Sequence, residues 1–148
     1  MKISEIKIHG IKSFNESTVG MSDYTVFVGE NNSGKSNVLF ALLWFFGKEK
    51  LANKDVNQNI ADDPYIEVEF TLQQDEEFTH PQEYLVGGKF RVRAVLSRSK
   101  ICEKASACEY YGYTGDSEVE IKDTKLLGWK TVAKPSLGDV IYMHQLGH

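Results

Sequence analysis

The stretch that decides the fold is Gly29-Glu30-Asn31-Asn32-Ser33-Gly34-Lys35-Ser36. It fits the pattern G-x-x-x-x-G-K-[ST], in which glycines let the backbone turn tightly and bring successive amide N–H groups onto anionic oxygens. A helix that starts in such a loop presents its positive end to the same anion. The motif therefore predicts a phosphate-binding loop (P-loop) for a nucleoside triphosphate, and we expect ATP with Mg²⁺.

The sequence on both sides of the motif has the patterns that a P-loop requires. Residues 24–28 are a mostly apolar run of β-forming residues, which is typical of a buried strand. Residues 36–46 are helical in character, and Gly47 is a natural stop at the carboxyl end. Because this helix is apolar on nearly every side, we expect other elements to enclose it.

The motif assigns a role to each of its polar residues. Lys35 is expected to reach the β- and γ-phosphates, which makes it the candidate catalytic residue, and the Ser36 hydroxyl is expected to bind Mg²⁺. Asn32 is expected to take one of the demanding backbone angles, which asparagine tolerates well. Further nucleotide contacts are expected from Asn32 and from the other loop positions: Asn31, Ser33 and Gly34.

Beyond the motif, two segments alternate between apolar and polar residues with period two, at 66–72 and 90–94. The outer positions carry opposite charges on the two segments, namely Glu67, Glu69, Arg91 and Arg93. Antiparallel pairing would place these charges across from each other, with a gain of about 0.2–1 kcal/mol per pair. We therefore predict an antiparallel pair of strands, with Gly87-Gly88 turning the chain into the second one.

The other elements have weaker patterns, and together they predict an α/β fold. The predicted segments are an irregular first strand over 3–8, a short strand over 17–21, a polar connection over 48–64, an exposed acidic excursion over 73–83, and strands at 119–121, 126–132 and 139–143. The expected architecture is a P-loop helix packed between a mixed sheet and a flanking antiparallel sheet.

Composition limits the classes of function. The 148 residues are 41% hydrophobic and 26% charged, which is typical of an ordinary globular domain. The net charge of −4 argues against broad electrostatic attraction to nucleic acid. No apolar run approaches the roughly 18 residues of a membrane span, and no signal core follows the N-terminus. We expect no membrane association and a cytoplasmic location.

The densest basic stretch has two interpretations. It consists of Arg91, Arg93, Arg98, Lys100 and Lys104. These residues can contact DNA phosphates, since such contacts require positive side chains. Alternatively, pairing with the two glutamates of the neighbouring strand accounts for the first two arginines without DNA. We favour the pairing.

The N-terminal third resembles a known family. The segment Met1-Lys2-Ile3, then Ile11-Lys12-Ser13-Phe14, a short hairpin and the P-loop look like the N-terminus of the RecF/RecN/SMC-like ATPases. Those proteins are ABC-type heads that act on DNA, and the overcoming-lysogenization-defect (OLD) nucleases are close relatives. The similarity is specific over residues 1–47, architectural over 65–96 and suggestive again at 140–145.

The resemblance implies roles for residues outside the motif. Lys12 and Ser13 fall where the family places a basic-polar pair against phosphate or ribose, and Asn37 would approach the α-phosphate. Gln145 matches the Q-loop glutamine, which completes Mg²⁺ coordination and senses the γ-phosphate. The alternative interpretation is that Lys12 and Ser13 are a solvated strand end, and that Gln145 is an ordinary exposed residue.

Two parts of the family pattern are missing from the sequence. There is no apolar run ending in Asp-Glu that could supply a Walker B carboxylate, and there is no Ser-Gly-Gly signature. The resemblance then implies one partial ATPase domain over 1–148, divided at 1–47, 48–64, 65–139 and 140–148. We expect it to bind ATP with little turnover, and to work with the missing carboxyl-terminal half or a second head. The complete protein would be a homodimer that acts on DNA.

Two other classes of function remain open at this stage. A small P-loop kinase would need an acidic base, a lid with arginines and a mostly parallel sheet. A non-catalytic interaction module would keep only a degenerate nucleotide site.

Overall fold

The computed structural model describes residues 2–20, 33–47, 49–78, 81–101 and 108–121, with the backbone alone at 33–35. The predicted strands at 24–28, 126–132 and 139–143 lie outside these ranges. None of the helices in these ranges combines the length and the hydrophobicity of a membrane-spanning segment.

The described strands form one seven-stranded antiparallel sheet. In chain order the strands are β1 (Lys2–His9), β2 (Glu16–Gly20), β3 (Tyr65–Thr71), β4 (Leu85–Val86), β5 (Lys89–Val95), β6 (Glu109–Thr114) and β7 (Ser117–Glu120). The spatial order is β2-β1-β3-β5-β6-β7, and β4 pairs with β5. The irregular alternation expected in the first strand is confirmed, because the pairing of β1 with β3 shifts register between Ile3 and Glu5.

The predicted pairing of the two alternating segments is confirmed. β3 and β5 are antiparallel neighbours, with Glu67 opposite Arg93 and Glu69 opposite Arg91. The expectation that Glu67 lies on an exposed face is wrong, since this residue is only 6% exposed. Its carboxylate accepts hydrogen bonds from Arg93 Nε at 3.2 Å and from the Tyr113 hydroxyl at 2.6 Å. The side chains of β5 and β6 therefore cover this part of the sheet.

The turn between β4 and β5 has the predicted glycines, Gly87 and Gly88, both with positive φ angles of 60° and 76°. The excursion that precedes it is not exposed throughout, as the sequence suggested. Phe78 is buried there, and its ring meets Phe90 edge-on with centroids 5.3 Å apart. Phe78 therefore packs this otherwise polar segment against the core.

The helix α1 spans Ser33–Phe45 and begins inside the P-loop motif. It ends as predicted, because Gly47 takes a left-handed conformation with φ 76° and donates its N–H to the Trp44 carbonyl at 2.9 Å. The Tyr110 hydroxyl donates to the Phe45 carbonyl at 2.7 Å, and so satisfies one of the last carbonyls of the helix. Apolar side chains of α1 and the sheet form one core.

The molecule is thus an α/β fold with an antiparallel sheet. The inner face of the sheet carries the alternate apolar residues of its strands, and they pack with α1. Phe45 illustrates the contact, with its ring centroid 6.3 Å from that of Phe70 on β3. The predicted mixed sheet depends on residues 24–28, which lie outside the described ranges, so it stays a prediction.

At Gly112 the backbone of β6 lies close to the side chains of Tyr84 and Ile121. A Cβ atom added there would lie 2.7 Å from Tyr84 Cδ1 and 3.1 Å from Ile121 Cδ1. We expect Gly112→Ala to lower the free energy of unfolding by about 1–3 kcal/mol, because the added methyl group forces neighbouring side chains to move. Urea denaturation measures this loss.

The Tyr84→Ala background provides the control for this clash. We expect Gly112→Ala to cost much less there, since the ring that it would strike is absent. An equal loss in both backgrounds would show that the effect has another cause.

Candidate phosphate-binding site

The charge of the first turn of α1 is compatible with an anion site. It contains no acidic side chain. The positive end of the helix is therefore not neutralised by its own sequence, although Asp and Glu are favourable there. The Ser36 side chain is exposed and that of Asn37 is half-buried.

Several predicted site residues lie outside the described part of the structure. Asn31, Asn32 and Gln145 are outside it altogether, and for Ser33, Gly34 and Lys35 the backbone alone is described. Their predicted roles stay predictions. Among the predicted site residues, the structure describes the side-chain surroundings of Lys12, Ser13, Ser36 and Asn37 only.

A tight turn brings Lys12 and Ser13 to the side of α1. The turn is closed by the Phe14 amide, which donates to the Ile11 carbonyl at 3.0 Å. Within this turn, Ser13 Oγ accepts a hydrogen bond from Asn37 Nδ2 at 3.4 Å. The Lys12 ammonium lies 4.3 Å from the centre of the Phe40 ring. Lys12 and Ser13 thus lie beside the first half of the helix, next to Asn37, which is 24 positions from Ser13 in sequence.

Lys12 is not a freely solvated side chain. Its Nζ donates to Asp55 Oδ1 at 2.6 Å, and the Asp55 side chain is buried. Burial acts to raise the pKa of Asp55, but the hydrogen bonds from Lys12 and the Ala52 amide outweigh it, so the pKa lies below 3.8. The stabilisation from this charged pair is present above pH 3.8 and is lost as pH falls through the lowered pKa.

Sequence reasoning missed Asp55. It lies in the polar connection that we expected to be a loop, and no motif singles it out. The structure shows a short 3-10 turn at Asn53–Asp55 and a bridge between Ile11 and Val56. The only signal available was a carboxylate in a stretch of mixed polarity, which does not identify a partner 43 residues away.

The polar connection (48–64) also forms hydrogen bonds with the residues that flank the Lys12 turn. The Asn57 amide donates to the Gly10 carbonyl at 2.9 Å, and Asn57 Nδ2 donates to Asn15 Oδ1 at 2.9 Å. Arg98 fixes the position of this connection through hydrogen bonds. Its guanidinium donates to the backbone carbonyls of Asn57, Ile60 and Asp62. The position of Lys12 therefore depends on a hydrogen-bonded network.

Interactions within the protein account for most of the basic stretch. Arg93 Nη2 lies 3.1 Å from Glu67 Oε1, as the pairing interpretation predicted. The Arg91 guanidinium instead stacks on the Tyr113 ring at 4.3 Å, and Lys89 is the cation nearest Glu69 at 3.6 Å. Lys100 lies 3.9 Å from Glu109, and Lys104 is outside the described ranges.

The described residues contain no group of three or more histidine, cysteine, aspartate or glutamate side chains that could hold a metal ion. The predicted Mg²⁺ ligands are of a different kind, since they are the Ser36 hydroxyl and the Gln145 amide. Such a site is completed by phosphate oxygens and water rather than by a cage of carboxylates.

Comparison with known proteins extends these observations. A curated relative, the uncharacterized protein MJECL44 of Methanocaldococcus jannaschii, is 30% identical over an alignment of 87 positions that covers 53% of this chain and 26% of that protein. Among solved structures, the chain is similar to the SMC head domain from Thermotoga maritima, with 24% identity and a TM-score of 0.47. That alignment covers 84% of this chain and 41% of the head domain chain.

A family model described as an AAA ATPase domain matches residues 1–131. The match includes the P-loop, α1, all seven described strands and the turn that carries Lys12. It confirms that the N-terminal resemblance is to an ATPase domain. Because it covers most of the sequence, the chain belongs to the AAA ATPase domain family.

Proposed function

We propose that this chain is the ATP- and Mg²⁺-binding N-terminal lobe of an ATPase of the SMC/RecF/OLD-like kind. One observation carries the proposal: the G-x-x-x-x-G-K-S motif leads into the first turn of α1, inside the region matched by the ATPase family model. A nucleotide-binding role follows from the family. The kind of ATPase is inferred from the sequence resemblance.

The described groups around α1 fit a polyphosphate. They comprise an ammonium, two hydroxyls and a carboxamide, from Lys12, Ser13, Ser36 and Asn37. All four side chains can donate hydrogen bonds to anionic oxygens. The positive end of a helix without acidic residues in its first turn adds to the same attraction. An acidic residue in that turn would have opposed it.

The proposed role of each site residue follows from the chemistry of its side chain. Lys35 contacts the β- and γ-phosphates, Asn37 approaches the α-phosphate, and Lys12 and Ser13 contact phosphate or ribose. Ser36 and Gln145 would hold Mg²⁺, which supplies positive charge to the phosphate oxygens when bound. The backbone amides of the loop, including those of Asn31 and Asn32, orient the same oxygens.

The complete protein is proposed to do more than this chain. The chain spans 26% of the curated relative and 41% of the solved head domain that it matches. We infer that hydrolysis uses a Walker B carboxylate and a signature segment outside this sequence, after ATP brings two heads together. Action on DNA, in repair or in defence against phage, and a cytoplasmic location belong to the same proposal.

Calorimetric titration with ATP tests the proposal. We expect weak to moderate binding, with Kd in the roughly micromolar to millimolar range, that weakens when EDTA removes Mg²⁺. Little release of phosphate is expected during long incubation. Absence of both binding heat and thermal stabilisation by Mg-ATP would reject the nucleotide site.

A turnover assay separates this proposal from the kinase alternative. Transfer of phosphate from ATP to small hydroxyl acceptors would favour a kinase. The described strands are all antiparallel, whereas a kinase of this class needs a mostly parallel sheet. We therefore expect no transfer.

A further inference from the structure

Lys12 has a backbone conformation that is unusual for its residue type. Its φ angle is 54°, in the left-handed region that favours glycine. It occupies the second position of the turn from Ile11 to Phe14, where a positive φ is most easily met by glycine. A lysine persists in such a position only when the surroundings hold it there, and such outliers cluster at functional sites.

Asp55 holds Lys12 from two sides. The Lys12 amide donates to the Asp55 carbonyl at 2.6 Å, and the Lys12 ammonium donates to Asp55 Oδ1 at 2.6 Å. The other carboxylate oxygen, Oδ2, accepts from the Ala52 amide at 3.0 Å. Both oxygens are therefore engaged, and the carboxylate is a fixed point rather than a mobile counter-ion.

The Lys12 side chain is more exposed than the carboxylate that holds it. The Asp55 side chain is 4% exposed, whereas that of Lys12 is 29% exposed. The ammonium also lies over the ring of Phe40, a residue of α1. Because an ammonium has three donors and Asp55 takes one, the others stay available to a ligand.

We propose that Asp55 is a positioning residue of the nucleotide site, which holds the Lys12 ammonium beside α1 before the phosphates arrive. The inference rests on the proposed nucleotide-binding function. A free lysine side chain loses rotamer freedom when it is fixed against a ligand. Here the pair with Asp55 removes that freedom in advance, which is the general benefit of a preorganised site.

The negative charge of Asp55 has an opposing effect, because it repels phosphate. The difference in exposure decides between the two effects. The Asp55 side chain is buried and that of Lys12 is partly exposed, so an anion that approaches from solvent meets Lys12 before the carboxylate. Positioning therefore outweighs repulsion, and loss of the carboxylate weakens binding.

The experiment is a double-mutant cycle on Mg-ATP affinity with Asp55→Asn and Lys12→Gln. We expect Asp55→Asn to weaken binding about tenfold when Lys12 is present, and to have almost no effect in the Lys12→Gln background. The matched control is Asp75→Asn, which removes the same charge from an exposed residue. Asp75 follows the carboxyl end of β3, whereas Asp55 precedes the strand, so this variant should leave affinity unchanged.

The cycle distinguishes positioning from a structural role. Urea denaturation of each variant reports the fold, and Asp55→Glu, which keeps the charge but moves the carboxylate, replaces Asp55→Asn if that variant does not fold. Unchanged or tighter binding by either variant would overturn the inference, as would an equal loss in both backgrounds. The proposed function would survive those results, whereas it fails if the unaltered chain does not bind Mg-ATP.

Discussion

Calorimetric titration of the Lys35→Ala variant with Mg-ATP is expected to give no measurable binding. The residue follows the last glycine of the motif, in the first turn of α1. Hydrogen bonds to charged groups contribute about 1.5–3 kcal/mol each. Lys35 is proposed to make more than one with the β- and γ-phosphates. A loss of about 3 kcal/mol is roughly a 100-fold weaker Kd, which places a moderate binder beyond detection.

A matched control separates this effect from a change of net charge. Lys50→Ala removes the same charge from an exposed residue beyond the carboxyl end of α1. It should bind Mg-ATP like the unaltered chain. Equal affinities for Lys35→Ala and the unaltered chain would refute the phosphate-binding assignment, whatever the fold.

The second large effect concerns stability. Phe45→Ala is expected to lower the free energy of unfolding by about 3–5 kcal/mol. The ring is fully buried and packs against Phe46, Phe70 and Tyr110, with centroids 5.0, 6.3 and 5.9 Å away. Its loss leaves a cavity where α1 meets the sheet. The shift in urea midpoint at constant slope measures the change.

Two further variants serve as comparisons for Phe45→Ala. Phe45→Leu keeps most of the volume, and we expect a smaller loss than for alanine. Phe14→Ala removes a ring that is only partly buried, so it should cost clearly less. A loss below about 1 kcal/mol for Phe45→Ala would mean that the site collapses around the cavity, and would contradict the tight packing of this contact.

Local patterns predicted the regular elements well. Period-two alternation identified β3 and β5, and charge complementarity predicted that they pair antiparallel. The structure places Glu67 opposite Arg93. The end of α1 followed from Gly47, because a left-handed residue is needed there. These features depend on neighbours within a few residues or on one face of a strand, and a sequence displays both directly.

Features that depend on another strand or a distant segment were missed. β6 was not predicted, because Gly112 interrupts its aromatic run and the reason for that glycine is the ring of Tyr84 above it. Burial of Glu67 was also missed, since the Tyr113 hydroxyl that covers it lies 46 residues away. A polar side chain can be buried when its partners are present, and a sequence does not reveal those partners.

The phosphate-binding proposal was available from the sequence alone, because the order of glycines, lysine and serine carries its chemistry within eight consecutive residues. The grouping of Lys12, Ser13 and Asn37 around α1, and the capture of Lys12 by Asp55, required the tertiary structure. The physical reason is chain separation. Contacts between residues 24 and 43 positions apart are set by how the sheet and the helix pack, and local sequence has no means of encoding which distant groups will meet.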